Sequence, residues 1–291
     1  MIISKVRLQE EHPMLGSGSI QWPLPYCDLH VDSYAGSNGY ICKNIFGLGP
    51  PEFLPVVQGF DIAGVSVYDS VPEKREIALR VGFQPTSGKD ISELRSSLHR
   101  YISRSILVSF MHESDVIAQT KGYISKFESV HFSNEPEVQM TIVCGSGDLQ
   151  APNIISIPTA VIDVASPVIA YNEGDAPTGL DIVIKYASGT PAAGFTISNY
   201  GKFWYDGVAV DNQFIVTYSI INNDEITLKT HPNDRKLTLL RSGTTYDLAG
   251  YLNPGAVWPR LYPGVNTFTW NLNSLAFTWL SASYRPRFWG V

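Results

Sequence analysis

The stretch LYPGVNTFTW, residues 261–270, decides how this chain is read. Pro263 fixes φ near the value needed at the second turn position and Gly264 accepts positive φ at the third, so the pair predicts a type II turn. Beyond it Val265, Thr267 and Thr269 alternate with Asn266, Phe268 and Trp270. An alternating run of β-branched and aromatic residues has the period of a strand. A second run, LAFTWLSASYRPRF at 275–288, repeats the pattern from Ala276 to Tyr284. The chain closes on two strands with hardly a charge in them, and their partners must lie upstream.

Those partners recur at short intervals: IISIPTAVIDV at 154–164, DIVIKYA at 181–187, GFTISNY at 194–200, KFWYDGVAV at 202–210, QFIVTYSI at 213–220, EITLKT at 225–230 and RKLTLLRS at 235–242. No helical period interrupts them. Short strands separated by turns and lacking helices predict a β-sandwich. Gly145, Ser146, Gly147 and the sequence Ala151, Pro152, Asn153 form the punctuation before this series, which predicts domains at 1–150 and 151–291.

The first domain reads as short strands broken by Gly, Pro and Asn, with one exception. In KDISELRSSLHRYI, residues 89–102, Ile91, Leu94, Leu98, Tyr101 and Ile102 fall on one helical stripe. Asp90 is placed to cap the helix, and Glu93 three residues on completes a capping box. The strand-like runs SILVSFM, GYISKFESVHF and VQMTIVCG follow, so the stripe is expected to pack on a sheet. The fold class expected is mainly β, with one helix in the first domain.

Composition narrows the function classes. At 291 residues there is length for two cores, and charged residues make up 16% against a typical ~25%. A net charge of −6 argues against gripping nucleic acid through a basic surface. No run approaches the ~20 apolar residues of a membrane span. The opening MIISKVRLQEEHP lacks the pattern of a secretory signal, so synthesis in a cytoplasm without export by that route is expected. Cys27, Cys42 and Cys144 have no framework spacing and are expected as buried thiols; Cys27 and His30 have C-x-x-H spacing without a second half-site.

No catalytic or cofactor motif emerges. GFQPTSGKD at 82–90 has five residues between its glycines where a phosphate loop has four, and Asp90 stands where a Ser or Thr would hold magnesium. His99, His112 and His131 are scattered, without a nucleophile elbow. The expectation is no enzyme, no cofactor and no metal. His231, Asn233 and Arg235 match, as H-x-N-x-R, the sugar-contacting strand of galectins, although Pro232, Asn233 and Asp234 equally read as a turn.

The ordered combination of GLGPP at 47–51, GFDIAGVSV and REIALRVGFQP within 59–85, ELRSSLHRYIS at 93–103 and GYISKFESVHFSNEPEVQMTIVC at 122–144 resembles the distal tail proteins of long-tailed bacteriophages. In the second domain the resemblance lies in NEGDAPTGLDIVIK at 172–185 and in GYLNPGAVWPRLYPGVNTFTW with the final YRPRFWG. It implies a ring-forming first domain and a galectin-like second one. It further implies a homohexamer whose first domains enclose a channel, located at the distal end of the virion tail, where the tail tube protein meets the hub or tip. Receptor-binding or peripheral baseplate proteins are implied partners, DNA passes without specific binding, and no membrane is involved. Acidic charge repeated around such a ring would discourage DNA from sticking. Trp204 and Tyr205 in KFWYDG are expected as exposed docking tips, and a carbohydrate-binding module using His231, Asn233 and Arg235 is the alternative role.

Overall fold

The computed structural model describes residues 3–10, 26–31, 38–61, 64–72, 74–86, 88–102, 104–129, 136–158, 161–162, 167–187, 191–202, 209–231, 234–271 and 277–290, with side chains outside the description at 53–73, 159–166, 199–212 and 270–279. Two compact units divide the chain: Met1–Pro152 together with Phe288–Val291, and Asn153–Arg287.

The first unit contains β1 (Lys5–Glu10), β2 (Tyr26–Val31), β3 (Tyr40–Phe46), β4 (Phe53–Asp61), β5 (Gly64–Pro72), β6 (Arg75–Phe83), helix α1 (Ile91–His99), β7 (Ser105–His112), β8 (Asp115–Ser129), β9 (Glu137–Cys144) and β10 (Leu149–Gln150). Seven of these close on themselves in the order β8, β7, β1, β2, β3, β6, β9 and back to β8, which makes a barrel without free edges. All neighbours run antiparallel except β2 and β3. Alternate residues point inward: Val6 and Leu8 of β1 face Leu29 and Cys27 of β2, and Ile77, Leu79 and Val81 of β6 face Ile142, Met140 and Val138 of β9. Strands β4 and β5 pair with each other in a separate two-stranded sheet.

Helix α1 starts as its sequence dictates. Asp90 accepts from the Glu93 amide at 2.8 Å, and the Glu93 carboxylate accepts from the Asp90 amide at 3.0 Å. Leu94 and Leu98, one turn apart, are fully buried in the barrel core with Tyr101. The α-helix stops at His99; Tyr101 and Ile102 bond three residues back, to Leu98 and His99, which ends it in a tighter turn than the apolar stripe alone suggests.

The second unit contains β11 (Ile155–Ile157), β12 (Val161–Ile162), β13 (Val168–Asn172), β14 (Leu180–Tyr186), β15 (Phe195–Lys202), β16 (Ala209–Val216), β17 (Glu225–His231), β18 (Asp234–Arg241), β19 (Thr244–Asp247), β20 (Gly264–Asn271) and β21 (Phe277–Tyr284). Strands β11, β21, β14, β17, β18 and β19, with β12 beside β21, form one sheet; β13, β20, β15 and β16 form another. A shared core joins Ile182, Ile184, Leu228 and Leu237 of the first sheet to Ile197, Phe214, Val216 and Phe268 of the second. This is the expected sandwich. The two closing strands enter different sheets, β20 between β13 and β15, and β21 beside β14. Gly264 has φ +86°, as the turn requires.

Asn266 points inward beside Phe268, which alternation alone would fill with an apolar side chain. Its amide accepts from the Tyr262 amide at 2.9 Å and donates to the Tyr262 carbonyl at 2.7 Å and the Gly264 carbonyl at 3.0 Å. The buried polar group is satisfied by the turn it clamps. A last strand, β22 (Arg287–Phe288), lies beside β10 in the sheet of the first unit.

Candidate interaction sites

The residues matching the galectin pattern lie on a hairpin. Strands β17 and β18 pair with His231 opposite Asp234 and Thr230 opposite Arg235. Residues opposite one another share a face and neighbours in a strand alternate, so His231 and Arg235 project from opposite faces of the hairpin. Strand β17 ends at His231 and β18 begins at Asp234, paired antiparallel, where a galectin-type site needs one continuous strand. Asn233, Trp204 and Tyr205 lie outside the described residues.

His231 belongs to an outward cluster with Asp181, whose Oδ1 is 3.8 Å from His231 Nε2, and with Lys229, whose Nζ reaches Asp234 at 3.1 Å. Burial lowers the pKa of His231; Asp181 acts in the opposite sense. Arg235 shares the inner face with Leu237 at the open end of the sandwich, its guanidinium carbon 5.7 Å from the ring centre of Trp258.

The barrel wall is held by charge pairs that its acidic residues organise. Glu10, buried at the inner end of β1, accepts from Arg100 and Arg104 just past α1. Burial alone would raise the Glu10 pKa, and the two arginines more than reverse this. Asp28 does the same with Arg7 and Lys5, and Glu137 with Arg80 and Lys43. Arg75 is buried and directs its guanidinium to main-chain carbonyls: Gly147 at 3.0 and 2.7 Å, Gly47 and Gly49 each at 2.7 Å, and Trp289. No sequence motif announced this clamp.

His99 meets the Phe127 ring edge-on at 4.8 Å, while His131 is outside the described residues. Cys27 faces the barrel interior and His30, three residues on in the same strand, faces the other side, so the C-x-x-H pair is split by the wall. All three cysteines are free and buried, and burial pushes Cys27 and Cys42 up to about 12. Among the described residues no three metal-ligating side chains gather, and no described helix is long and apolar enough to cross a membrane. Tyr26, Phe46 and Tyr123 on the first unit are exposed, as are Ile169, Tyr171 and Val265 on the second.

No protein-family description matches the sequence, and no curated protein matches it either. Among solved structures, the chain is similar to the Dit protein of phage SPP1, described as a paradigm of the hub adsorption apparatus in Gram-positive-infecting phages. The identity is 13%, the match covers 87% of this chain and 95% of that one, and the TM-score is 0.55. The two proteins share a fold over nearly their whole lengths. A chain of the phage P2 baseplate in its activated conformation with Ca is similar at 8% identity over 98% of each chain, with a TM-score of 0.43.

Proposed function

We propose that this chain is a structural protein of a phage tail, a hub that closes into a ring at the distal end, joins the tail tube to the tip or baseplate and lets DNA through. The observation that carries the reading is the likeness to SPP1 Dit, because it extends through both units. Fold alone does not fix function. The resemblance of ordered sequence phrases across 47–290 supports the same reading independently of backbone geometry.

A ring of identical chains uses head-to-tail contacts, so each copy carries two different complementary surfaces. The barrel unit supplies them in this reading, and the second unit is an attachment platform for receptor-binding or peripheral baseplate proteins. The role is mechanical and calls for no cofactor.

Two measurements test the proposal. Negative-stain class averages of the purified chain should show six-fold annuli. Antibodies against the chain should label phage particles at the tail end distal to the head. Labelling of the head, or of no part of the particle, overturns the assignment; annuli of another symmetry overturn the hexamer and leave the hub.

A further inference from the structure

Arg241, at the end of β18, is held by a buried carboxylate. Asp224, 1% exposed, accepts from Arg241 Nε at 2.9 Å and from Nη2 at 2.6 Å, and its Oδ2 also accepts from the Ile221 amide at 2.8 Å. Nη2 donates further to the Ser219 carbonyl at 2.8 Å. The guanidinium is thereby fixed and its charge matched, while Nη1 makes no hydrogen bond among the described residues. Aromatic rings gather around it. Its central carbon lies 5.7 Å from the ring centre of Tyr218, and Tyr218 meets Tyr251 edge-on at 4.6 Å. The register of β18 and β19 sets Thr244 opposite Arg241 and Tyr246 opposite Leu239, so Tyr246 is the diagonal neighbour of Arg241 on the same face. An edge-on contact covers no more than one face of either ring, and Tyr251 and Tyr246 are 46% and 40% exposed.

The rings stand on backbone that is already tied down. The Tyr251 carbonyl accepts from the Thr217 amide at 2.9 Å and from the Thr217 hydroxyl at 3.1 Å, and the Tyr251 amide donates to the Leu248 carbonyl at 2.9 Å. Leu248 is fully buried, and its own amide donates to the Leu237 carbonyl at 3.0 Å. Tyr218 packs on the core, and reciprocal bonds of 2.8 Å between Ile220 and Ala192 fix the segment behind it. Rings placed in advance lose little freedom when a ligand arrives.

We propose that Tyr251, Tyr246 and Arg241 form a binding site for an uncharged sugar, with the sugar ring on Tyr251 and Arg241 Nη1 donating to its hydroxyls. Because Asp224 balances Arg241, an anion gains little from the charge. Thr217, Ser219 and Thr244, placed beside the rings by the bonds and register above, are exposed, so a protein partner would find hydroxyls where the core of an interface is apolar. A pyranose offers what these groups take. Its C–H bonds suit the negative face of an aromatic ring, and its hydroxyls suit the guanidinium donors and the tyrosine hydroxyls. The site uses none of His231, Asn233 and Arg235, and it goes beyond the hub role without depending on it. Repeated around a ring, weak sites of this kind would act together.

The test reads saturation transfer by NMR from the full chain to lactose, cellobiose, maltotriose and chitotriose. At least one of these sugars should show transfer that saturates with concentration. Tyr251→Ala should weaken that sugar about tenfold, the loss of an aromatic face. Tyr251→Trp should retain it and Tyr246→Ala should weaken it. Tyr171→Ala, which removes an exposed ring from β13, should leave it unchanged. Absence of saturable transfer to all the sugars, or equal losses in Tyr251→Ala and Tyr171→Ala, overturns the proposal. Stronger transfer to galacturonate than to any neutral sugar overturns it in favour of an anion site on Arg241. Ring images and particle labelling do not depend on these residues, so a failed titration and a failed hub assignment are read separately.

Discussion

The guanidinium of Arg75 donates to the main-chain carbonyl of Trp289, 214 positions further along the chain. The last residues thus return to the unit in which the chain began, and a single buried side chain ties that return to the loops at Gly47–Gly49 and Gly147. Arg75→Met leaves these carbonyls without their donor, and an orphaned buried acceptor is worth about 1–3 kcal/mol. The first unit should lose about 2–4 kcal/mol in urea unfolding. Deleting residues 288–291 should lose less. Because the two changes break a shared contact, the combined variant should lose less than the sum; strict additivity would show that the clamp does not reach Trp289.

Acid should loosen the barrel, and Glu10 is the group to watch. With Arg100 and Arg104 bonded to it, its folded pKa lies below the unfolded value of about 4.3. A carboxyl depressed in this way contributes stability above its unfolded pKa and loses it as pH falls through the folded one. Unfolding free energy of the first unit should therefore decline below about pH 5. In Glu10→Gln the neutral-pH stability is lower and the acid limb shallower; a limb as steep as that of the parent protein would remove Glu10 from the account. Asp28 and Glu137 are shifted in the same direction and keep some of the slope in that variant.

What could be read from the sequence was local. Helix α1 was legible because Asp90, Glu93, Leu94 and Leu98 specify cap and stripe within three turns. The closing strands were legible because alternation from Val265 onward is a two-residue pattern. Barrel closure was not, since the β8–β9 pairing and the parallel β2–β3 pairing depend on which distant strands find each other. Phe288 and Trp289 read as the end of the sandwich. The H-x-N-x-R spacing was visible, yet β17 ends at His231 and β18 begins at Asp234, and their register puts His231 and Arg235 on opposite faces. Trp258 and Arg235 are too far apart in sequence for spacing to join them.

The capping box permits a sharper local test. Asp90→Ala removes the acceptor for the Glu93 amide and should destabilise the first unit by about 1 kcal/mol. Asp90→Asn keeps an acceptor oxygen and should recover most of that. Thermal unfolding of the three proteins measures the order; equal midpoints would mean that burial of Leu94 and Leu98 alone fixes where the helix begins.

Gly47 and Gly49 supply two of the carbonyls that Arg75 binds, and they should respond differently to the same substitution. Gly47 has φ +85°, and a Cβ there would lie 2.0 Å from the Glu76 carbonyl oxygen, backbone that cannot step aside without breaking the β3–β6 ladder. Gly47→Ala combines a disfavoured conformation with a clash and should destabilise the first unit by about 3 kcal/mol or more. A Cβ on Gly49 meets nothing within 4 Å, so Gly49→Ala should stay within about 0.5 kcal/mol of the parent. Circular dichroism melts of both variants decide it. If Gly47→Ala melts with the parent, the loop has another conformation open to it, and the Arg75 clamp does not hold the GLGPP turn in place.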